Sequence, residues 1–222
     1  MPSPSPLQVF FQVVDTPTDI TTQADCFAGA DIQVVFRYYA SEMSSKVIGL
    51  KEAQAISEAG MGVAVVFEGD NTLSYFTEDN GYADGESAYN YANDVIGQPF
   101  GSAIYFAVDL DVTDNEIESN IMNYFNGVNS AIGVLSGLDP NYKVGAYGCG
   151  AAVNILQNAL RCEFKWLSAH TSWNGTINAL ERGDYELAQN FHEGRKACGI
   201  AVNGDNVVNG DVAIIGAFRL GD

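Results

Sequence analysis

The chain has 222 residues, 47% of them apolar, and carries 28 acidic against 10 basic side chains for a formal charge of −18. That is enough apolar material for one substantial core, and the acidity argues against a nucleic-acid groove or an anionic membrane surface, both of which need a basic footprint. The apolar stretches fall far short of the roughly 20 residues that cross a bilayer. Met1-Pro2-Ser3-Pro4-Ser5-Pro6 places no basic region before an apolar run, so the expectation is a protein made in the cytoplasm with no classical signal peptide.

Residues 1–6 read as a flexible tail, and residues 7–222 as a single domain with no internal linker. Short β-rich apolar runs at 7–14, 32–39, 62–67, 103–108 and 143–147 predict buried parallel strands. Between them, 50–59, 84–96, 115–135 and 151–160 have the length and patterning of covering helices. Thr113-Asp114-Asn115-Glu116 is a capping box, and Gly60 and Gly97 stand just past two helix ends. After Leu160 the rhythm changes. Runs at 164–169, 185–191 and 199–208 look like strands, but the Gly- and Asn-rich gaps between them are short for full helices. The expected fold is therefore α/β, a single TIM-like barrel of five βα units followed by three strands poorly covered by helices. An open doubly wound sheet is disfavoured, because no Gly-x-Gly-x-x-Gly or Walker-type loop follows a strand.

Read to their C-terminal ends, where a TIM barrel gathers its chemistry, the strands deliver Asp15, Arg37 with Tyr38 and Tyr39, Glu68 with Asp70, Asp109 with Asp111, Tyr147, His170, and Gln189 with Asn190. Several carboxylates with aromatic rings suit sugar cleavage, which needs a proton donor, a charge facing an oxocarbenium-like centre, and rings to stack on pyranose faces. Asp109 and Asp111 share one side of the sheet if their strand persists, and like charges so close raise one pKa. Equally, Asp111 and Asp114 read as acids favoured by a helix N-terminus, Asp15 as a turn residue before Thr16-Pro17, and Arg37 as a structural counter-ion. Trp166 and Trp173 join the tyrosines as candidate stacking surfaces.

Other chemistries are less well served. Asp109 begins an Asp-x-Asp run, but the glycine of a calcium loop is missing. His170 and His192 are the two histidines, and no Gly-x-Ser-x-Gly elbow accompanies Ser168. Cys26, Cys149, Cys162 and Cys198 have no metal-ligand spacing; buried free thiols are the default, with a pairing such as Cys162 to Cys198 left open. No metal and no cofactor are expected.

The runs Asp15-Thr16-Pro17-Thr18-Asp19, Phe36-Arg37-Tyr38-Tyr39, Ile104-Tyr105-Phe106-Ala107-Val108-Asp109-Leu110-Asp111, Val144-Gly145-Ala146-Tyr147-Gly148, Lys165-Trp166-Leu167-Ser168-Ala169 and Leu187-Ala188-Gln189 occur in this order. In combination the chain resembles the glycoside-hydrolase-like TIM-barrel family, a former domain of unknown function distantly similar to family 25 lysozymes. The resemblance implies a (β/α)5β3 barrel and cleavage of a peptidoglycan-like glycan. By the lysozyme pattern Asp15 and Asp109 carry over, with Asp205 near the last strand; where those enzymes place a glutamate acid this chain has Asp111, and Glu68 is the alternative acid. The expected activity is thus a muramidase-like glycoside hydrolase using Asp109, Glu68, Asp111 and Asp15, with Arg37, Tyr38, Tyr147, Trp166, His170, Gln189 and Asp205 binding substrate. The alternative is a catalytically silent barrel that binds wall glycans. Either would reach the wall by a non-classical route; an immunity or delivery partner is not readable from the sequence.

Overall fold

A computed structural model describes residues 11–40, 44–137, 141–190 and 194–221. The expected tail at residues 1–6, the start of the first predicted strand, and His192 lie outside the described residues. Strands β1 (Val13–Asp15), β2 (Val34–Tyr39), β3 (Gly62–Phe67), β4 (Ala103–Ala107), β5 (Lys143–Gly148), β6 (Phe164–Leu167), β7 (Leu187–Asn190) and β10 (Asn203–Val207) close a barrel in the order β1-β10-β7-β6-β5-β4-β3-β2. Neighbours from β1 through β7 pair in parallel, whereas β10 is antiparallel to both β1 and β7.

Alternation along each strand sorts side chains into two cores. Val13, Phe36, Val66, Tyr105, Trp166 and Leu187 point inward and fill the barrel. Val35, Tyr39, Val63, Val65, Ile104 and Phe106 point outward against the helices. Those helices are α1 (Ala24–Gly29), α2 (Leu50–Glu58), α3 (Glu78–Asn90), the continuous run of α4 (Asp114–Glu116), a π turn (Ile117–Ile121) and α5 (Met122–Ser136), then α6 (Gly150–Asn158) and α7 (Thr176–Arg182). The C-terminal segment folds back under the barrel, where the Tyr105 hydroxyl donates to the Ile215 carbonyl at 3.0 Å and Ala103 N–H to the Gly216 carbonyl at 2.8 Å. No helix among the described residues is long and apolar enough to cross a membrane.

Several expectations need correction. Helix α3 begins at Glu78, not at Asp84, with Thr77 accepting from Asn80 N–H as its cap. Its early glycines lower helix propensity but allow α5 to pack close, so tertiary contact overrides local preference. Helix α1 was not anticipated. Helix α7 gives the β6 to β7 step more cover than its composition promised. The last strand runs in reverse because only a two-stranded ribbon, β8 (Lys196–Ala197) with β9 (Ile200–Ala201), precedes it, and a short link serves an antiparallel neighbour without a crossover helix. Cys26 and Cys198 form a disulfide, while Cys149 and Cys162 are buried thiols, so the open pairing of Cys162 with Cys198 is replaced. Cys198 and Gly199, both at positive φ, make the ribbon's turn and carry the sulfur outward to α1.

Candidate active site

At the C-terminal mouth, Tyr38, Val66, Glu68, Ala107, Asp109, Tyr147, Trp166, His170, Gln189 and Asn203 enclose a cavity of about 210 Å³. Tyr38 and Trp166 reach it because they alternate inward on β2 and β6, while Glu68 stands one residue beyond β3, where its N–H still donates to Tyr39 O at 3.1 Å. Strand β4 ends at Ala107, so Asp109 lies in the loop, anchored by the Val108 N–H bond to Tyr147 O at 2.8 Å.

The two mouth carboxyls have unequal surroundings. Glu68 pairs with Lys46 at 2.6 Å, and the ammonium also sits 5.2 Å above the Tyr38 ring. Burial, followed by the neighbouring Glu68 charge, pushes the Asp109 carboxyl above its ordinary range, with His170 and Lys46 pulling it partly back. His170 stacks on Trp173 with centroids 4.4 Å apart, and its Nδ1 lies 3.0 Å from Ser168 Oγ.

Beneath them is a second, buried pair. Asp15 accepts from Gln189 Nε2 on one oxygen and from Asn203 Nδ2 on the other, each at 3.0 Å, and the Tyr147 hydroxyl donates to Gln189 Oε1 at 3.0 Å. Asp205 accepts from Trp166 Nε1 at 2.8 Å, but its Oδ2 is buried without a hydrogen-bond partner. Burial, then the Asp15 charge, pushes the Asp205 carboxyl well above the carboxylate range. Asp15 is raised too, by burial, against the amide donors that favour its ion. Of the two, Asp205 is the one held more strongly toward its protonated form.

Over residues 25–212 the chain matches the sequence profile of the Rv2525c-like, glycoside hydrolase-like domain. The chain belongs to this family. It is 37% identical over 100 residues to the uncharacterised YbfG of Bacillus subtilis strain 168 and 31% identical over 139 residues to FadG of the same organism. Those matches take in 44% and 60% of this chain but only 14% and 23% of the relatives, so the chain spans a small part of each. The Tat-secreted protein Rv2525c of Mycobacterium tuberculosis shares the fold, with a TM-score of 0.74 at 18% identity over 92% of this chain and 97% of that one.

Within this glycoside hydrolase-like domain, the sequence-predicted residues divide. Glu68, Asp109, Tyr38, Tyr147, Trp166, His170 and Gln189 meet at the cavity, and Asp15 and Asp205 lie below it. Asp111 does not join them. It is exposed and accepts from Asn174 N–H at 2.8 Å, tying the β4 to α4 loop to the segment before α7, because the strand it was expected to extend has already ended. Arg37 does not reach the mouth either. It alternates outward, fully buried against α2, where Nε pairs with Glu52 at 2.7 Å. Lys46 and Asn203 were missed. The signal for Lys46 was a lone cation in a loop leaving β2 of a very acidic chain; Asn203 was hidden because the mouth end of β10 is its N-terminal end.

Among the described residues, no group of three His, Cys, Asp or Glu side chains is placed to hold a metal. A larger groove of about 1010 Å³ lies at the opposite end, around Gln33, Gly62, Ser102 and Lys143, where strands begin; among the described residues Asp31 is the only acid lining it. Glu68 and Asp109 stand instead at the mouth.

Proposed function

We propose that the domain is a glycoside hydrolase acting on bacterial cell-wall peptidoglycan, with Asp109 as proton donor and Glu68 as the carboxylate facing the sugar. The observation that carries this reading is the inequality of the two acids in one aromatic-lined cavity: Asp109 is biased toward its protonated form, while Glu68 is ion-paired with Lys46. A carboxyl biased toward its proton beside a carboxylate held by a cation can divide the work as acid and counter-charge. Asp109 gives its proton to the leaving oxygen as the C1–O bond breaks, and the Glu68 carboxylate meets the positive charge growing on the ring. Water then supplies hydroxide to the anomeric carbon and returns a proton to Asp109. Asp109 and Glu68 thereby exchange the roles expected from the sequence and its lysozyme resemblance, in which Glu68 or Asp111 is the acid and Asp109 the stabilising carboxylate or base. The wall glycan as substrate rests on the lysozyme-like order of strand-end residues.

The Cys26–Cys198 link supports work in an oxidising space outside the cytoplasm, since such bridges are uncommon where thiols are kept reduced. One observation favours a second reading, a silent glycan-binding barrel: the cavity is about 210 Å³, smaller than the roughly 300 Å³ and above of most ligand sites.

Purified sacculi incubated with wild type, Asp109→Asn and Glu68→Gln separate the two. Hydrolysis predicts new reducing ends with wild type, a loss of about 100-fold or more in either variant, and retained sacculus binding. Binding by all three proteins with no release from any of them would leave only the silent barrel.

A further inference from the structure

Glu68, Gly69 and Asp70 lead out of β3, and a side chain on Gly69 has nowhere to go. A Cβ there would stand 2.8 Å from both Cε1 and the hydroxyl of Tyr75. A free tyrosine ring would swing aside, but this one is held at its far end. Its hydroxyl lies 2.8 Å from both oxygens of Asp84, and the Tyr124 hydroxyl donates to Asp84 Oδ2 at 2.6 Å. Asp84 on α3 and Tyr124 on α5 are 3% and 1% exposed, so the anchor sits in the seam between two helices.

That seam is itself rigid. A Cβ on Gly81 would fall 1.9 Å from the Tyr124 carbonyl oxygen, and one on Gly127 would fall 2.0 Å from that of Glu78. The helices touch backbone to backbone, which brings the Tyr124 hydroxyl to Asp84. The loop between β3 and α3 is also stitched along its length: Thr72 N–H donates to Asp70 Oδ1 at 2.7 Å, Asn80 Nδ2 to the Tyr75 carbonyl at 2.7 Å, and Asn120 Nδ2 to the Leu73 carbonyl at 3.4 Å.

We propose that Tyr75, hung from Asp84 and Tyr124, is a positioning residue that presses on Gly69 and fixes where Glu68 stands at the mouth. Its catalytic consequence rests on the reading of Glu68 as a working carboxylate.

The test is a double-mutant cycle of Gly69→Ala and Tyr75→Phe, read in two ways. Amide hydrogen exchange at residues 68–70 should speed up about tenfold in Gly69→Ala, because the methyl group displaces a segment whose neighbour cannot yield. In Gly69→Ala/Tyr75→Phe the ring is released from Asp84 and moves off, so exchange should return to within about twofold of Tyr75→Phe alone. On sacculi, Gly69→Ala should lower kcat roughly 10- to 100-fold with KM within about twofold, and the second substitution should restore most of it. Unchanged exchange in Gly69→Ala, or effects that simply add in the double variant, would overturn the proposal. A wild type that releases no sugar removes the hydrolase reading, while the exchange cycle still decides whether Tyr75 sets the position of Glu68.

Discussion

Replacing Cys26 and Cys198 by serine, or reducing wild type, should cost the domain a large part of its stability. The bridge closes a loop with a sequence separation of 172, and chain entropy for a loop of that length amounts to about 5 kcal/mol at 25 °C. Unfolding a 222-residue domain releases about 0.5 kcal/mol per degree of entropy, so Tm should fall by about 10 °C. Calorimetry of the oxidised protein, the reduced protein and the double serine variant measures this. Alkylation in denaturant should count two thiols before reduction, those of Cys149 and Cys162, and four after it. Four thiols in air-oxidised protein, or a Tm within about 2 °C of wild type after reduction, would refute the link and the reasoning from it.

Asp15, Asp84, Asp109 and Asp205 all have carboxyls raised above the ordinary range, with burial the largest cause in each. A carboxyl raised on folding binds its proton more tightly in the native state, so its stabilisation is full below the unfolded value and is lost as pH rises through the folded one. Thermal scans should therefore show a higher Tm near pH 5 than near pH 8, and Asp205→Asn should flatten that slope; an unchanged slope in the variant contradicts the buried Asp205 carboxyl as its main source. Arg37→Met should destabilise by about 3 to 5 kcal/mol in denaturant titration by leaving Glu52 buried without its partner, yet leave sacculus binding per folded molecule intact. Lost binding in a stable Arg37→Met protein would put Arg37 back at the mouth.

The barrel was legible in the sequence because its parallel strands are buried on both faces and therefore read as unbroken apolar runs. Gly62–Phe67 has the bounds its composition predicts, and the Thr113 capping box forms as expected, with both of its reciprocal hydrogen bonds. Period-two alternation was harder to use at the strand ends. Arg37 and Tyr38 are adjacent, so one had to face the helices, but only the register of β2 beside β3 determines which. Asp111 would share a face with Asp109 only if β4 ran on past Ala107, whereas the chain turns there toward Asn174. The disulfide was unreadable, since it depends on a ribbon turn that brings residue 198 back to α1, and four cysteines allow three complete pairings. The placing of Asp205 on the strand beside Asp15 depends on the reversal of β10, which no local pattern announces.

That reversal sets one wall of the mouth apart from the others. In an all-parallel barrel each rim loop is a strand's exit toward a helix. Here the rim between β7 and β10 is a ribbon that leaves and re-enters at the same end, held to its neighbours by the Thr16 hydroxyl's bond to Ala201 O at 2.8 Å and by the bridge to Cys26. Among the described residues, a wall built this way has no covering helix of its own, and its turn is held at its length because Cys198 must meet Cys26.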